Sequence, residues 1–183
     1  MADKFFVEIK IPEGVDIEVS DNLITVKGKN GEIKREFRNP RLYFIIKDGN
    51  FKIIIKDDIK YKTSDKVFAN TYLAHVKNMI RGVQDKYTAK LKICSGHFPM
   101  QVSITGNILQ IKNFLGEKVP RKTRLIEGVK VDIQGEFIDL VGIDKDSVGQ
   151  MAADIEQSTR ITNRDRRIFQ DGIYIIKKPG DEK

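Results

Sequence analysis

Apolar and polar positions alternate from residue 15 to residue 19, where Asp16 and Glu18 separate Val15, Ile17 and Val19. A period of two predicts a half-buried strand. Asp21-Asn22 then turns the chain into a second run, Leu23–Lys27. Asn30-Gly31 follows and reads as a two-residue type I′ turn, in which both central residues need positive φ. Asp48-Gly49, between Leu42–Ile46 and Phe51–Ile55, predicts another hairpin. Its flanking runs are almost wholly apolar, so it belongs in the interior or against a helix.

Helical spacing occurs twice. The first helix is expected to start near Ser64 or Asp65, both suitable N-caps, with Phe68, Tyr72, Val76, Met79, Ile80 and Val83 recurring every three to four residues. Gly82 reads as its stop signal. The second runs from about Asp146 to Ser158, with Val148, Met151, Ala152 and Ile155 on one stripe.

The pattern repeats. A shift of 85 positions lays Val15, Ile17 and Val19 over Met100, Val102 and Ile104, and Lys27 over Lys112. The same shift sets Gly31-Glu32 on Gly116-Glu117. Further along, a shift of 86 places Gly49 and Phe51 on Gly135 and Phe137, with Ile54-Ile55 on Leu140-Val141. So long a period, seen twice, implies a duplicated domain rather than a solenoid. The expectation is an α+β fold of two tandem duplicated domains, residues 1–86 and 87–183, each a mainly antiparallel β-sheet packed with one α-helix.

Charge narrows the partner. The chain has 33 Lys and Arg against 26 Asp and Glu, a net of +7, which favours a polyanion such as nucleic acid. It does not say which half binds, because residues 1–88 hold 17 basic and 13 acidic residues and residues 89–183 hold 16 and 13. Cys94 is the only cysteine, which suits a reducing cytosol. No apolar run approaches the roughly 20 residues needed to span a bilayer. The start, Met1-Ala2-Asp3-Lys4, does not read as a signal peptide. The expected protein is soluble and cytoplasmic, without membrane partner.

Catalytic chemistry is poorly represented. Cys94-x-x-His97 has metal-like spacing but is half a site, and His75, the other histidine, sits mid-helix. Asp57-Asp58 and Asp144-x-Asp146 suit either Mg²⁺ ligation in a nuclease or, more simply, a loop and a helix start. Phosphate-loop, dinucleotide and nucleophile-elbow motifs are absent. We expect no enzyme, no cofactor, no metal and no small-molecule substrate.

Basic residues gather in two places. Arg160, Arg164, Arg166, Arg167, Lys177 and Lys178 stand against Asp165 and Asp171 after the last helix, where a loop can fold arginine forks around phosphates. Phe169 and Tyr174 interleave with them, placed either to stack on bases or to pack the tail on its domain with Ile168, Ile173, Ile175 and Ile176. Lys118, Arg121, Lys122 and Arg124 form a second patch, read either as an RNA contact or as a solvated run. In the first half, Lys52, Lys56, Lys60 and Lys62 read as the wet faces of strands.

The string Gln157-x-x-x-Ile161-x-x-Arg164-x-x-Arg167-x-Phe169-x-Asp171-Gly172-Ile173-Tyr174-Ile175-x-x-Lys178 resembles the ending of ribosomal protein six of the large subunit, in its archaeal branch and the eukaryotic counterpart, ribosomal protein nine. Gly96-His97-Phe98-Pro99, Asn113-Phe114-Leu115-Gly116-Glu117-Lys118, Asp139-Leu140-Val141 and Ile11-Pro12-Glu13-Gly14-Val15 are similar to that family too. The tail differs from the bacterial Lys/Gly-rich ending.

The resemblance implies a duplicated two-domain fold and a structural constituent of the large ribosomal subunit. It implies binding to large-subunit ribosomal RNA, mainly through the C-terminal domain, near the sarcin–ricin loop and the stalk base where translational GTPases dock. Neighbouring ribosomal proteins and those GTPases are the implied protein partners. Carried onto matching positions, the RNA-binding residues would be Arg160, Arg164, Arg166, Arg167, Lys177 and Lys178, with Lys118 and Arg121. His97 and Lys122 are added by their nearness to the matching motifs. A metal-dependent nuclease and a sheet-edge protein-interaction module are the rival readings.

Overall fold

The computed structural model describes residues 6–47, 49–55, 62–165 and 167–181. The chain divides into two compact units, Met1–Lys86 and Tyr87–Lys183.

In the first unit the strands are β1 (Phe6–Lys10), β2 (Asp16–Ser20), β3 (Leu23–Gly28), β4 (Gly31–Glu36), β5 (Leu42–Lys47) and β6 (Asn50–Ile55). They make two antiparallel three-stranded sheets, β2-β3-β4 and β1-β6-β5. Helix α1 (Thr63–Gln84) buries Ala69, Val76, Met79, Ile80 and Val83 toward the unit's core. Phe68, expected on that stripe, is 47% exposed instead. The fully buried residue of the first turn is Asp65, whose carboxylate accepts from Lys62 N at 2.8 Å and grips Arg41 through Nε at 2.6 Å and Nη2 at 2.8 Å. The arginine fork holds its pKa down to about 2, against the opposing effect of burial.

Three local expectations shift. The N-cap of α1 is Lys62 rather than Ser64 or Asp65, and Asp65 stands at N3, where its carboxylate turns back to the Lys62 N–H. Gly82 does not end α1, which continues to Gln84. Instead Asn30 closes the helix, donating from its backbone N to Val83 O at 3.0 Å and from Nδ2 to Gln84 O at 2.7 Å. Consistent with that duty, the β3–β4 turn lies one residue early: Gly28 pairs with Gly31, so Lys29 and Asn30 occupy the bend. Gly31, at φ 134°, carries the positive torsion, and Asn30 is not left-handed. Asp48, Lys56, Asp57, Asp58 and Lys60 lie outside the described residues.

The second unit contains β7 (Tyr87–Cys94), β8 (Gln101–Thr105), β9 (Ile108–Lys112), a short 3₁₀ turn (Phe114–Gly116), β10 (Arg121–Arg124), β11 (Val129–Gln134), β12 (Phe137–Gly142), α2 (Lys145–Ser158) and β13 (Gly172–Lys177). One sheet has the order β8-β9-β10 and the other β11-β12-β7-β13. Asp144 caps α2, accepting from the backbone N–H groups of Asp146 and Ser147. Helix, sheets and tail share one core, in which Leu91, Leu109, Ile111, Ile138, Leu140, Met151, Ile155 and Ile173 are fully buried.

The two units are one plan used twice, an α+β duplication. The β2–β3 and β8–β9 hairpins superpose at the expected shift of 85, since Asp16↔Lys27 corresponds to Gln101↔Lys112. The later hairpin does not keep the shift of 86. Lys47↔Asn50 closes the first copy and Gln134↔Phe137 the second, a shift of 87. Burial agrees: Phe51, Ile53 and Ile55 point inward in β6, as do Ile138, Leu140 and Gly142 in β12. A slip of one residue exchanges the faces of a strand, so Phe137 lies on the face opposite to that of Phe51.

Two additions distinguish the second unit. Its β9–β10 connection carries the 3₁₀ turn where the first unit has only Lys29 and Asn30. And β13, from the tail, adds a fourth strand alongside β7.

Candidate nucleic-acid interface

Three segments of the second unit meet at one end of β13: the loop after β7, the β9–β10 loop and the stretch between α2 and β13. Each is fixed by an identifiable contact. Asp171, 3% exposed, accepts from Gly96 N at 3.0 Å and His97 N at 3.1 Å, and its Oδ1 lies 3.0 Å from His97 Nδ1. An ionised carboxylate can only accept, so that ring nitrogen carries the proton. Burial acts to raise the Asp171 pKa, but the His97 bond and the two amides hold it below the usual carboxylate range. Asn113 Nδ2 donates to Pro99 O at 3.1 Å, joining the first loop to the second.

Arg121 joins the second loop to the third. Its Nε and Nη2 reach Glu117 at 2.8 and 2.6 Å, while Nη1 donates to Ser158 O at 2.8 Å and Arg160 O at 3.1 Å. The guanidinium lies 4.1 Å over the buried Phe114 ring. The Arg121 hydrogen bonds hold the Glu117 pKa low, and the nearby Arg164 charge lowers it further. The loop needs left-handed backbone at Asn113, Leu115 and Gly116, with Phe114 and Leu115 buried beneath it. A residue expected to face a phosphate is thus engaged inside the protein.

Other expected residues are presented outward. Lys118, Lys122 and Arg160 are exposed. Arg164 stands 4.9 Å over the Phe169 ring, and the His97 ring lies 4.9 Å from the same ring. Phe169 is half-buried, so it packs the tail while supporting a cation and an imidazole. Arg167, 90% exposed at its side chain, pairs with Asp165 in its own loop at 2.8 Å. That pairing lowers the Asp165 pKa and raises that of Arg167. Arg166 lies outside the described residues.

The family model for ribosomal protein L6 matches residues 11–86 and 98–172, one stretch in each unit. The chain belongs to the ribosomal protein L6 family. The large ribosomal subunit protein uL6 of Methanobrevibacter smithii is 42% identical over 171 residues, covering 93% of this chain and 94% of that relative.

Within this L6 chain, the sheet beside the three loops sets the two copies apart electrically. The outward rows of β8-β9-β10 are Gln101 and Lys112; Ser103, Gln110 and Lys122; and Thr105, Ile108 and Arg124. Those rows hold three cations and no carboxylate. The matching rows of β2-β3-β4 hold Asp16, Lys27 and Glu32; Glu18, Thr25 and Lys34; and Ser20, Leu23 and Glu36. They hold two cations against four carboxylates, with Lys27 on Glu18 at 2.5 Å and Lys34 on Glu32 at 3.1 Å. Whole-half charge conceals this difference; the period-two register reveals it. Lys112 was left out of the basic patches read from the sequence, and Arg124, placed in the second patch, was not carried among the RNA-binding residues.

Lys177 and Lys178 fall elsewhere. Lys177 ends β13 and Lys178 follows it, about 20 Å along the strand from Asp171 at about 3.3 Å per residue. Asp144, a nuclease candidate by sequence, is occupied as the α2 cap, also accepting from Ser147 Oγ at 2.5 Å. No described helix is long and apolar enough to cross a membrane.

Proposed function

We propose that the three-loop face of the second unit anchors this chain to folded large-subunit ribosomal RNA near the sarcin–ricin loop and the stalk base, beside the region where translational GTPases dock. As an L6 protein it is a structural constituent of the large subunit, placed with the cytoplasmic ribosome and surrounded by ribosomal proteins. It works by position rather than by catalysis.

One observation carries the reading. Where the first unit makes a two-residue turn beside an ion-paired face, the second builds a loop, latches it to two others and surrounds it with Lys118, Lys122, Arg160, Arg164 and Arg167. Basic side chains on a latched frame neutralise crowded phosphates without reordering at each encounter, and released counterions drive binding. Arg121 and Asp171 set the frame. His97 lies at its rim, and Arg166 is kept in the proposal on its sequence motif alone. Lys177 and Lys178 lie off this face.

The test is a salt titration of the full chain on the ribosomal RNA segment around the sarcin–ricin loop. Five phosphate contacts give a slope of log affinity on log salt of about 4, taking 0.7–0.9 per contact. The variant Lys118→Glu/Lys122→Glu/Arg160→Glu/Arg164→Glu should stay folded and fail to enter large subunits. Lys34→Glu, on the first unit, should enter normally. Incorporation of the quadruple variant at wild-type level, or a slope near 1, refutes the assignment.

A further inference from the structure

The four-stranded sheet of the second unit has a face that α2 does not cover. Tyr87, Ala89, Leu91, Ile138, Leu140 and Ile173 turn toward the helix and core, so the alternate residues turn away. Across the strands these form ordered rows. Tyr174 and Phe137 both register with Lys92, one on each side. In the next row Lys177, Lys90, Asp139 and Asp132 lie side by side, and Lys130 pairs with Val141 beyond them. Tyr174 is 40% exposed and Ile176, at the bulge beside Lys177, is 53% exposed.

We infer that this open face is a second RNA site, which borders the loop face at Tyr174 but draws on different cations, and that it takes a single-stranded segment with unstacked bases. Four lysines, Lys90, Lys92, Lys130 and Lys177, outnumber the two carboxylates among them. The carboxylates hold them loosely: Lys90 Nζ is 3.8 Å from Asp139, and Asp132 accepts from Gln134 at 2.8 Å. Lys90 and Lys92 place their ammonium groups 4.6 and 6.0 Å from the Phe137 ring centre, so cation and π-face are offered together. Tyr174 Oη donates to Gln170 O at 2.9 Å, which fixes the ring.

Geometry selects the strand state. Phe137 and Tyr174 flank β7, so they stand about two strand spacings apart, or roughly 10 Å. Bases stacked in a helix repeat about every 3.4 Å along a strand and cannot place neighbours on both rings. A double-stranded RNA shows its backbone and groove edges rather than base faces, leaving two aromatic residues unused. A splayed single strand uses the rings for bases and the lysines for phosphates. The one-residue register change at β12 creates this face, because it turns Phe137 outward where Phe51 of the first unit is buried.

The experiment measures binding of the full chain to fluorescent oligouridine and oligoadenine of about ten nucleotides, within the usual range for a stacking groove, and to an RNA duplex of equal length. Single strands should bind more tightly than the duplex. Phe137→Leu and Tyr174→Leu should each weaken single-strand binding by about five- to 150-fold, while Tyr174→Phe retains it. The loop-face quadruple variant should keep oligonucleotide binding, so failure of this inference and failure of the loop assignment are distinguishable. Photo-crosslinking of wild-type protein to 4-thiouridine oligomers supplies a readout independent of variant folding, with adducts expected at Phe137 or Tyr174. Duplex preference, undiminished binding by folded Phe137→Leu/Tyr174→Leu protein, or adducts confined to the three loops would overturn it.

Discussion

Asp171 holds His97 twice, through its backbone N–H at 3.1 Å and its ring Nδ1 at 3.0 Å, across 74 residues of sequence. Removing the carboxylate with Asp171→Ala orphans two amides and lets the 95–100 loop leave the tail. We expect a loss of about 1–3 kcal/mol in urea unfolding, the usual cost of unsatisfied donors. RNA affinity should fall while the salt slope stays unchanged, because no phosphate contact is removed. A reduced slope would instead make Asp171 part of the ion atmosphere, contrary to its 3% exposure.

Arg121 and Lys122 are neighbours with opposite duties. Arg121 spends its fork on Glu117 and two carbonyls, whereas Lys122 points outward from the next position of the same strand. Lys122→Ala should lower the salt slope of RNA binding by about 0.7–0.9 at little cost in stability. Arg121→Lys should do the reverse: destabilise, because an ammonium cannot reproduce the fork, and leave the slope intact. Equal slope changes in the two variants would mean that Arg121 leaves its internal partners to meet phosphate.

Much of this was legible in the chain. The β2–β3 hairpin and its copy announced themselves through strict alternation, and the α2 stripe of Val148, Met151, Ala152 and Ile155 is fully buried as expected. The slip at β6 and β12 was not legible, because Ile53-Ile54-Ile55 and Leu140-Val141 are apolar at every position and carry no parity. Only pairing partners fix which isoleucine faces in. Asn30 misled for a related reason: its side chain suits a left-handed turn, but the α1 carbonyls that claim it come from 53 and 54 residues away. The basic cluster could be found by composition. Its division into a frame residue, Arg121, and outward residues, Lys118 and Lys122, depends on contacts between segments remote in sequence.

Glycine at the end of β12 is required by α2. A Cβ at Gly142 would stand 2.7 Å from Val148 Cγ2 and 3.2 Å from Gly128 O. Gly142→Ala should cost about 1–3 kcal/mol through overpacking. Trimming the obstacle should return part of it, so Gly142→Ala/Val148→Ala is expected to be less destabilised than the sum of its single variants. The first unit offers a parallel in Gly28, whose Cβ would meet Val83 Cγ2 at 2.7 Å. Strict additivity in both double-variant cycles would show that the strand ends move aside at no cost.

The first unit should sense acid through Asp65. Its folded pKa of about 2 lies below the unfolded value of about 3.9, so folding favours the ionised form. The sign follows: the contribution is complete above about pH 4 and disappears as pH falls through about 2, where the carboxyl is protonated in both states. Asp65→Asn keeps the shape, removes the charge and leaves Arg41 with a neutral acceptor. The stability gap between wild type and Asp65→Asn should therefore be flat near neutrality and shrink toward pH 2, measured by hydrogen exchange of the α1 amides so that the second unit does not enter the reading. A gap of constant size down to pH 2 would mean that the Arg41 fork contributes equally to a carboxylate and to its protonated form, which the two short hydrogen bonds at 2.6 and 2.8 Å argue against.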